Sequence, residues 1–580
     1  MTYAAPLRDI RFVLYEMIGV DDKELIDAVL DEAARFAGEV LAPLNQSGDA
    51  EGARWHDGAV TTPHGFRDAY EKFVAGGWNA LACDPAHGGQ GLPTVIAAAV
   101  DEMWHASNMA FALCPLLTRG AIEALSLCGT EAQKALYLPK MVEGVWTGTM
   151  NLTEPAAGSD LAAVRTRAVP EGDHHRIFGQ KIFITYGEHD LADNIVHLVL
   201  ARTLDAPEGV KGISLFVVPK FLVNQDGSLG ARNDVRCVSI EHKLGIHASP
   251  TAVLAYGDAG GAIGHLVGEE HRGLEYMFVM MNLARFGVGL EGVAISERAL
   301  QAAASYATER VQGTEVGVRG GARVPIIRHP DVRRMLMTMR AQTEAGRALA
   351  YFVAAKLVAA RGGDLAAQAV ADVLIPVVKG WCTENAVEIA SAGIQVHGGV
   401  GFVEETGAAQ HLRDARITPI YEGTTGIQAN DLVSRKIARD GGRAARAAIA
   451  EMRAVAERLE GEATAALRAG LEDALGALSG CVDWVVATHG ADPRATAAGA
   501  VPLLKLFGIT AGGWQMGRAA IVARRRLAEG DNADRDFYAA KLGTARFYAD
   551  HVLPEARGLA HTVMHGAHGT MALQDSWFAI

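Results

Sequence analysis

The chain has 580 residues, 49% of them hydrophobic and 21% charged, a composition that excludes a disordered or fibrous polymer. At roughly 100–200 residues per domain it holds three or four structural units. Asp and Glu (67) outnumber Lys and Arg (54) for a net charge of −13, which argues against capture of nucleic acid by the whole molecule and requires any polyanionic ligand to be held by a local cluster of cations and backbone amides.

From the N-terminus, 1–12 carries Arg8, Asp9 and Arg11 and lacks the apolar core of a secretory signal. An amphipathic helix is expected from residue 21, with Leu25, Val29, Ala33, Phe36 and Val40 on its apolar face. Further helical patterns cover 65–75, 92–107 and 120–126, with Gly88-Gly89-Gln90-Gly91 as a loop between two of them. Near Met150 the period changes. Short β-rich runs at 176–185, 194–201, 212–219, 235–240 and 252–256, separated by Gly, Asp and Pro, predict an antiparallel sheet or small barrel. Long helices are expected at 274–311, 329–360 and 368–392, and an Ala- and Arg-rich helical region follows Gly441-Gly442 to about residue 565. The expected class is mainly α with a central β-domain (α+β). Its units are a leader (1–35), a helical N-terminal domain (36–150), a β-barrel-like middle domain (151–272), a helical bundle (273–440) and an extra helical C-terminal domain (445–580).

Six scattered cysteines form no CxxC and no HExxH occurs, so free thiols in a reducing, cytoplasmic compartment are expected, with no metal site. No apolar run approaches the ~18 residues of a membrane span, so no spanning segment is expected. Arg524-Arg525-Arg526 reads as a solvated helix face rather than a nucleic-acid module. The literal GxGxxG at Gly287-Val288-Gly289-Leu290-Glu291-Gly292 lies inside a helical pattern with no strand before it, so close helix packing explains it better than a dinucleotide site.

Three clusters carry chemistry. Met150-Asn151-Leu152-Thr153-Glu154-Pro155-Ala156-Ala157-Gly158-Ser159-Asp160 sets hydroxyls and small residues at the helix-to-sheet junction, where a flat polar ring or a phosphate can approach; an interdomain turn is the equal alternative. Gln395-Val396-His397-Gly398-Gly399-Val400-Gly401-Phe402 offers glycine amides, or a plain helix C-cap and turn. In Ile420-Tyr421-Glu422-Gly423-Thr424, a semi-buried carboxylate would have its pKa raised toward the range useful for proton abstraction.

Taken in order, these segments resemble the acyl-CoA dehydrogenase family of flavoproteins. Leu152-Thr153-Glu154-Pro155 to Gly158-Ser159-Asp160 is similar to its T-E-P-x-A-G-S-D signature, and Gly179-Gln180-Lys181-Ile182-Phe183-Ile184-Thr185 to its G-x-K-x-W/F-I-T segment. The 395–401 loop and Tyr421-Glu422-Gly423-Thr424 are similar to its Q-x-x-G-G-x-G and Y-E-G-T elements. The resemblance spans about 30–440. The opening residues and C-terminal extension are similar to a longer bacterial branch that includes 3-methylmercaptopropionyl-CoA and fatty acyl-CoA dehydrogenases.

The resemblance implies FAD between sheet and bundle, with Met150, Leu152, Thr153, Ser159, Phe183 and Thr185 lining the flavin. Arg310, Gln395, Gly398 and Gly399 would reach the FAD of a neighbouring subunit, and Thr424 the cofactor's diphosphate. Ser159, Asn282, Arg285 and Gly423 would meet the acyl-CoA. Glu422 would take the α-proton while the β-hydrogen leaves as hydride to flavin N5, giving a trans-2-enoyl-CoA, and an electron-transfer flavoprotein would accept the electrons. The span 276–290 has no carboxylate, so Glu422 is the single candidate base. Gly313, Pro330 and Gly426 depart from the shorter members, which have an aromatic, a glutamine and a glutamine there. A homodimer or homotetramer is expected, the extension favouring the dimer. An acyl-CoA oxidase and a flavin-binding, nucleic-acid-associated homologue are the alternatives.

Overall fold

The computed structural model describes residues 3–530 and 533–579. Three long helices form its spine: Thr94–Cys128, Gly273–Glu309 and Leu365–His397. Gly273–Glu309 packs on both of the others, and all three pack on Pro330–Arg361. The Gly287/Gly289/Gly292 motif lies at this crossing, as a packing device. A Cβ on Gly289 would stand 2.6 Å from Val378 and 3.0 Å from its backbone, and one on Gly292 would stand 2.5 Å from the Cys382 carbonyl. The missing side chains let the 273–309 and 365–397 helices meet backbone to backbone.

Each of the three spine helices contains an 18-residue window apolar enough to cross a membrane, contrary to the expectation from the sequence. In each, 72% of that window is buried inside the protein, so the apolar surface is already covered by neighbouring helices. The Thr94–Cys128 helix breaks at Asn108 (φ −157°, ψ 89°). There the carboxamide repairs the backbone, accepting from Phe111 N at 3.1 Å and donating to Leu41 O at 3.3 Å.

The helix Lys23–Phe36 forms, but its buried face is Ile26, Leu30, Ala33 and Phe36, while Leu25 is exposed. Ala33 and Phe36 are buried as expected, and in the first two turns the core contacts select Ile26 and Leu30, one position beyond Leu25 and Val29. The N-terminal part is also not all helix. Arg54–His56 and Ala59–Thr61 form a hairpin around Asp57-Gly58, both at positive φ, the geometry a two-residue Asp-Gly turn requires.

The central domain is an eight-stranded curled sheet. Its order runs Val235–Ile240, Thr251–Tyr256, His174–Thr185, Ala262–Val267, Ser214–Pro219, Asn194–Ala201 and Trp146–Asn151, with Arg167–Glu171 paired to the long 174–185 strand. All pairs are antiparallel except Trp146–Asn151 with Asn194–Ala201, which is parallel because the chain enters the sheet straight from the helix Glu131–Glu143. That strand and Ala262–Val267 were not expected from the sequence.

The C-terminal region builds a separate helical unit whose centre, Ala500–Glu529, packs on Arg535–His551, Glu462–Thr488 and Glu555–His565. It is seated on the bundle by Trp381, whose indole fills the space above Gly508 and Gly512. The leader joins the two. Buried Arg347 donates to Glu102, to Glu297 at 2.7 Å and to Asp9 of the leader helix Leu7–Arg11 at 2.5 Å, and Asp9 in turn accepts from Lys541 of the extension. Of the arginine triplet, Arg526 pairs with Glu16 at 2.9 Å and Arg525 with Glu529 at 3.7 Å.

Candidate active site

The first two motif segments are tied together by a buried carboxylate. Glu154 accepts from Lys181 Nζ at 2.8 Å, from the amides of Arg165 and Thr166 and from the Thr166 hydroxyl. Beside it, Ile182 N donates to Thr153 O at 2.9 Å and Lys181 Nζ to Leu152 O at 3.0 Å. The signature glutamate is therefore a structural clamp that holds Leu152–Thr153 against the end of the long strand. Leu152 itself is buried, Met150, Thr153 and Thr185 are half-buried, and Ser159 is exposed. Phe183 is 59% exposed and sits at φ +60°, a conformation costly for an aromatic residue and maintained here by the flanking strand pairs.

Thr185 pairs with Thr251, and the loop before Thr251 is locked to the bundle. Ile246 N donates to Asp414 Oδ1 at 2.5 Å, and Gly245 packs so closely on the Arg413 backbone that a Cβ would come within 2.4 Å. Eight residues beyond Asp414 stands Glu422, so the Thr185 end of the sheet and the candidate base share one junction.

Glu422 is half-buried and occupies the left-handed region at φ +54°. Burial pushes its carboxyl up from the ordinary 4.5 to about 7, against the opposing pull of Lys379 and Arg285. The strained turn is tied down on three sides. Lys379 Nζ donates to Gly423 O at 2.6 Å, Gln428 Nε2 to Glu422 O at 3.1 Å, and the Tyr421 hydroxyl to Glu291. Thr424 caps the short helix Thr425–Asn430, accepting from Ile427 N at 3.2 Å. Arg285 is buried with Asp431 at 3.5 Å, so much of its charge already has a partner, whereas Asn282, one turn earlier, is exposed.

The remaining site residues lie apart, on an open surface. The 365–397 helix ends in a glycine cap at Gly398 (φ +66°), and Gln395, Gly398 and Gly399 are exposed with nothing within 4 Å of where a Cβ would stand on either glycine. Arg310 begins an exposed hairpin, Val311–Thr314 with Arg323–Pro325, and Phe402 is 84% exposed. His397 is buried, stacked on Tyr306 at 4.6 Å, with Nδ1 bonded to Gly393 O at 2.7 Å.

Family models for the acyl-CoA dehydrogenase N-terminal, middle and C-terminal domains match residues 23–145, 149–259 and 271–437, and one for an acetyl-CoA dehydrogenase C-terminal-like domain matches 448–574. The chain belongs to the acyl-CoA dehydrogenase family. It is 53% identical over 577 residues to 3-methylmercaptopropionyl-CoA dehydrogenase of Ruegeria pomeroyi, covering 96% of this chain and 97% of that one. It is 36% identical to the broad-specificity linear acyl-CoA dehydrogenase FadE5 of Mycobacterium tuberculosis over 95% of this chain and 96% of that one. Caenorhabditis elegans ACDH-11, solved in complex with C11-CoA, superposes with a TM-score of 0.77 at 21% identity, covering 95% of this chain and 92% of that one.

As in the family, the cofactor is FAD, and the residues present fit it. An exposed aromatic face at Phe183, the Thr153 and Thr185 hydroxyls with no side-chain hydrogen bond among the described residues, and an open glycine cradle at 398–399 supply a ring contact, polar donors and a place for phosphate.

Sequence reasoning missed Glu291 and Lys379. Glu291 lies one residue beyond the carboxylate-free span 276–290, and the structure brings it to Tyr421, the residue preceding Glu422. A signal was available: each is a lone charge inside an apolar, small-residue run of a helix, so each was bound to be buried, and a buried charge demands a partner.

Proposed function

We propose that this acyl-CoA dehydrogenase removes the α-proton of an acyl-CoA thioester with Glu422 and delivers a trans-2-enoyl-CoA. The carrying observation is the carboxyl of Glu422, half-buried on a strained turn at the sheet–bundle junction with its pKa pushed to about 7. A base near the working pH is both ionised and strong enough to take a carbon-bound proton. Its backbone N–H makes no hydrogen bond to the described backbone and is the protein's donor to the thioester oxygen, where it gains strength as enolate charge develops. FAD, when bound, supplies the hydride acceptor. Met150, Leu152, Thr153, Ser159, Phe183 and Thr185 hold and orient it, with Thr424 at the diphosphate. Asn282, Arg285, Ser159 and Gly423 receive the acyl-CoA.

The relative named for 3-methylmercaptopropionyl-CoA supports a short thioether acyl-CoA as substrate, with a straight fatty acyl-CoA as the competing choice. An electron-transfer flavoprotein is the acceptor the family resemblance implies. The open surface at Arg310, Gln395, Gly398 and Gly399 supports completion of each FAD site by a second copy, and the C-terminal unit covering the Trp381 face of the bundle supports a dimer over a tetramer. Five buried free thiols and one half-buried support a cytoplasmic location.

The test is anaerobic mixing of the FAD-loaded protein with 3-methylthiopropanoyl-CoA and with straight-chain acyl-CoAs of rising length, followed by loss of the flavin band. Bleaching by one class assigns the substrate. E422Q is expected to lose at least ~10³-fold in bleaching rate; retention of the wild-type rate removes Glu422 as the base. Rapid peroxide formation in air would move the assignment to an oxidase.

A further inference from the structure

Glu291 is the buried group that the mechanism leaves unused. It lies in the 273–309 helix with no exposed surface, surrounded by Tyr421, Glu422 and Lys379 from the opposite side of the junction and by His105 from the 94–128 helix. One carboxyl oxygen accepts the Tyr421 hydroxyl. The other has no hydrogen-bond partner among the described residues, and it faces His105 Nδ1 at 3.9 Å, itself without one. Among the described residues Lys379 makes no ion pair with it; its ammonium donates to Gly423 O at 2.6 Å.

An ionised carboxylate sealed in this setting would have one oxygen facing no donor at all, whereas a protonated one places its hydroxyl toward the lone pair of a neutral imidazole. Burial supports the same assignment on both sides, pushing Glu291 up to about 8 and His105 down to about 3. Tyr421 is joined directly to Glu422, whose left-handed backbone is costly for a non-glycine residue and persists only if its neighbours are fixed.

We propose that Glu291 is a positioning residue for the base: a neutral carboxylic acid that fixes the Tyr421 ring and, through it, the strained turn that aims the Glu422 carboxylate. It rests on the reading of Glu422 as base.

The variants are E291Q, E291L and Y421F, assayed as FAD-loaded protein with 3-methylthiopropanoyl-CoA and butyryl-CoA across pH 5.5–9. E291Q keeps a carbonyl acceptor for Tyr421 and adds no charge. It is expected to stay within twofold of wild type in kcat, with the acid limb of the pH profile unmoved. E291L and Y421F lose the bridge and are expected to lose about tenfold or more in kcat with KM changed less than twofold. Y421F removes one oxygen and retains both carboxyls, so it serves if E291L does not fold. A downward shift of the E291Q acid limb by about one pH unit would show that Glu291 is charged and overturn the proposal, as would wild-type kcat in Y421F. Failure of the underlying reading shows separately, as E422Q turning over at the wild-type rate.

Discussion

Lys379 Nζ donates to the carbonyl of Gly423 at 2.6 Å, so the buried cation beside the candidate base grips the backbone of the base's turn instead of forming an ion pair with its carboxylate. The arrangement separates two effects. Glu422 keeps a pKa near 7 because no donor saturates its oxygens, yet the nearby charge stops it from rising further. Lys379→Met is therefore expected to move the acid limb of kcat upward by about one pH unit or more, because the stabilising positive charge is gone. Turnover at pH 7 falls several-fold and recovers in part at pH 9. A pH–rate profile from single-turnover bleaching measures this, and an unmoved limb would show that Lys379 acts on the backbone alone.

Glu291 should be visible in stability as well as in rate. Its carboxyl titrates near 8 in the native protein and near 4.5 in the unfolded chain, so the native state binds the proton more tightly. The sign follows: stability is greatest below pH 4.5 as far as this group is concerned and declines as pH rises toward 8, where the unfolded chain ionises freely and the native protein does not. E291Q removes that penalty. It is expected to leave unfolding nearly unchanged at pH 5 and to stabilise at pH 8 by about 2–4 kcal/mol, measured by urea unfolding at the two pH values. Equal effects at both would mean that Glu291 is ionised in the native protein.

How far such a site is legible in the sequence depends on the range of the contact. The strand runs and long helices follow from local periodicity, and the structure holds them within a few residues: 194–201 and 235–240 match the observed strands. The tie between Thr153 and Ile182 was not readable, because it joins the loop after one strand to a different strand that no local pattern pairs with it. Nor was the parallel strand Trp146–Asn151, whose partner is chosen by where the preceding helix delivers it. Glu422 stood out because its neighbours spell a motif. Glu291 did not, since its meaning comes from a residue 130 positions away. Leu25 shows the limit within one helix: periodicity fixes the angular width of an apolar stripe, and only the tertiary partner decides where it is centred.

Asp9 links the leader, the bundle and the extension, through Arg347 on one side and Lys541 on the other. Burial alone would raise its pKa, but the two cations overcome this and hold the carboxyl at about 2. Its contribution is thus present above the unfolded value near 3.9 and is lost as pH falls toward 2. Asp9→Asn leaves Lys541 and Arg347 short of an anion in a buried setting, and breaking such a pair typically costs about 3–5 kcal/mol. A fall in Tm at pH 7 that shrinks as pH approaches 2 is the expected result. An unchanged Tm at pH 7 would show that Glu102 and Glu297 suffice for Arg347, and Glu344, 3.1 Å from Lys541 Nζ, for the lysine.

The seat of the C-terminal unit is narrow enough to be tested by one substitution. A Cβ on Gly508 would stand 2.2 Å from Cγ of Trp381, below any tolerable separation, and both groups are buried in rigid helices, so neither can swing away. Gly508→Val must therefore displace the indole or lift the Ala500–Glu529 helix. Overpacking of this kind costs about 1–3 kcal/mol or more. The displaced unit is expected to expose the connecting turn at Asp440-Gly441-Gly442, so limited proteolysis should cut there faster than in wild type and release a C-terminal fragment of about 15 kDa, on the order of 110 Da per residue. The body left behind should keep its FAD, because none of the residues proposed to line the flavin lies in the extension. If that body assembles into a tetramer while the intact protein is a dimer, the extension occupies the surface on which larger assemblies form. If both are dimers, its role is confined to bracing the bundle through Trp381 and Asp9.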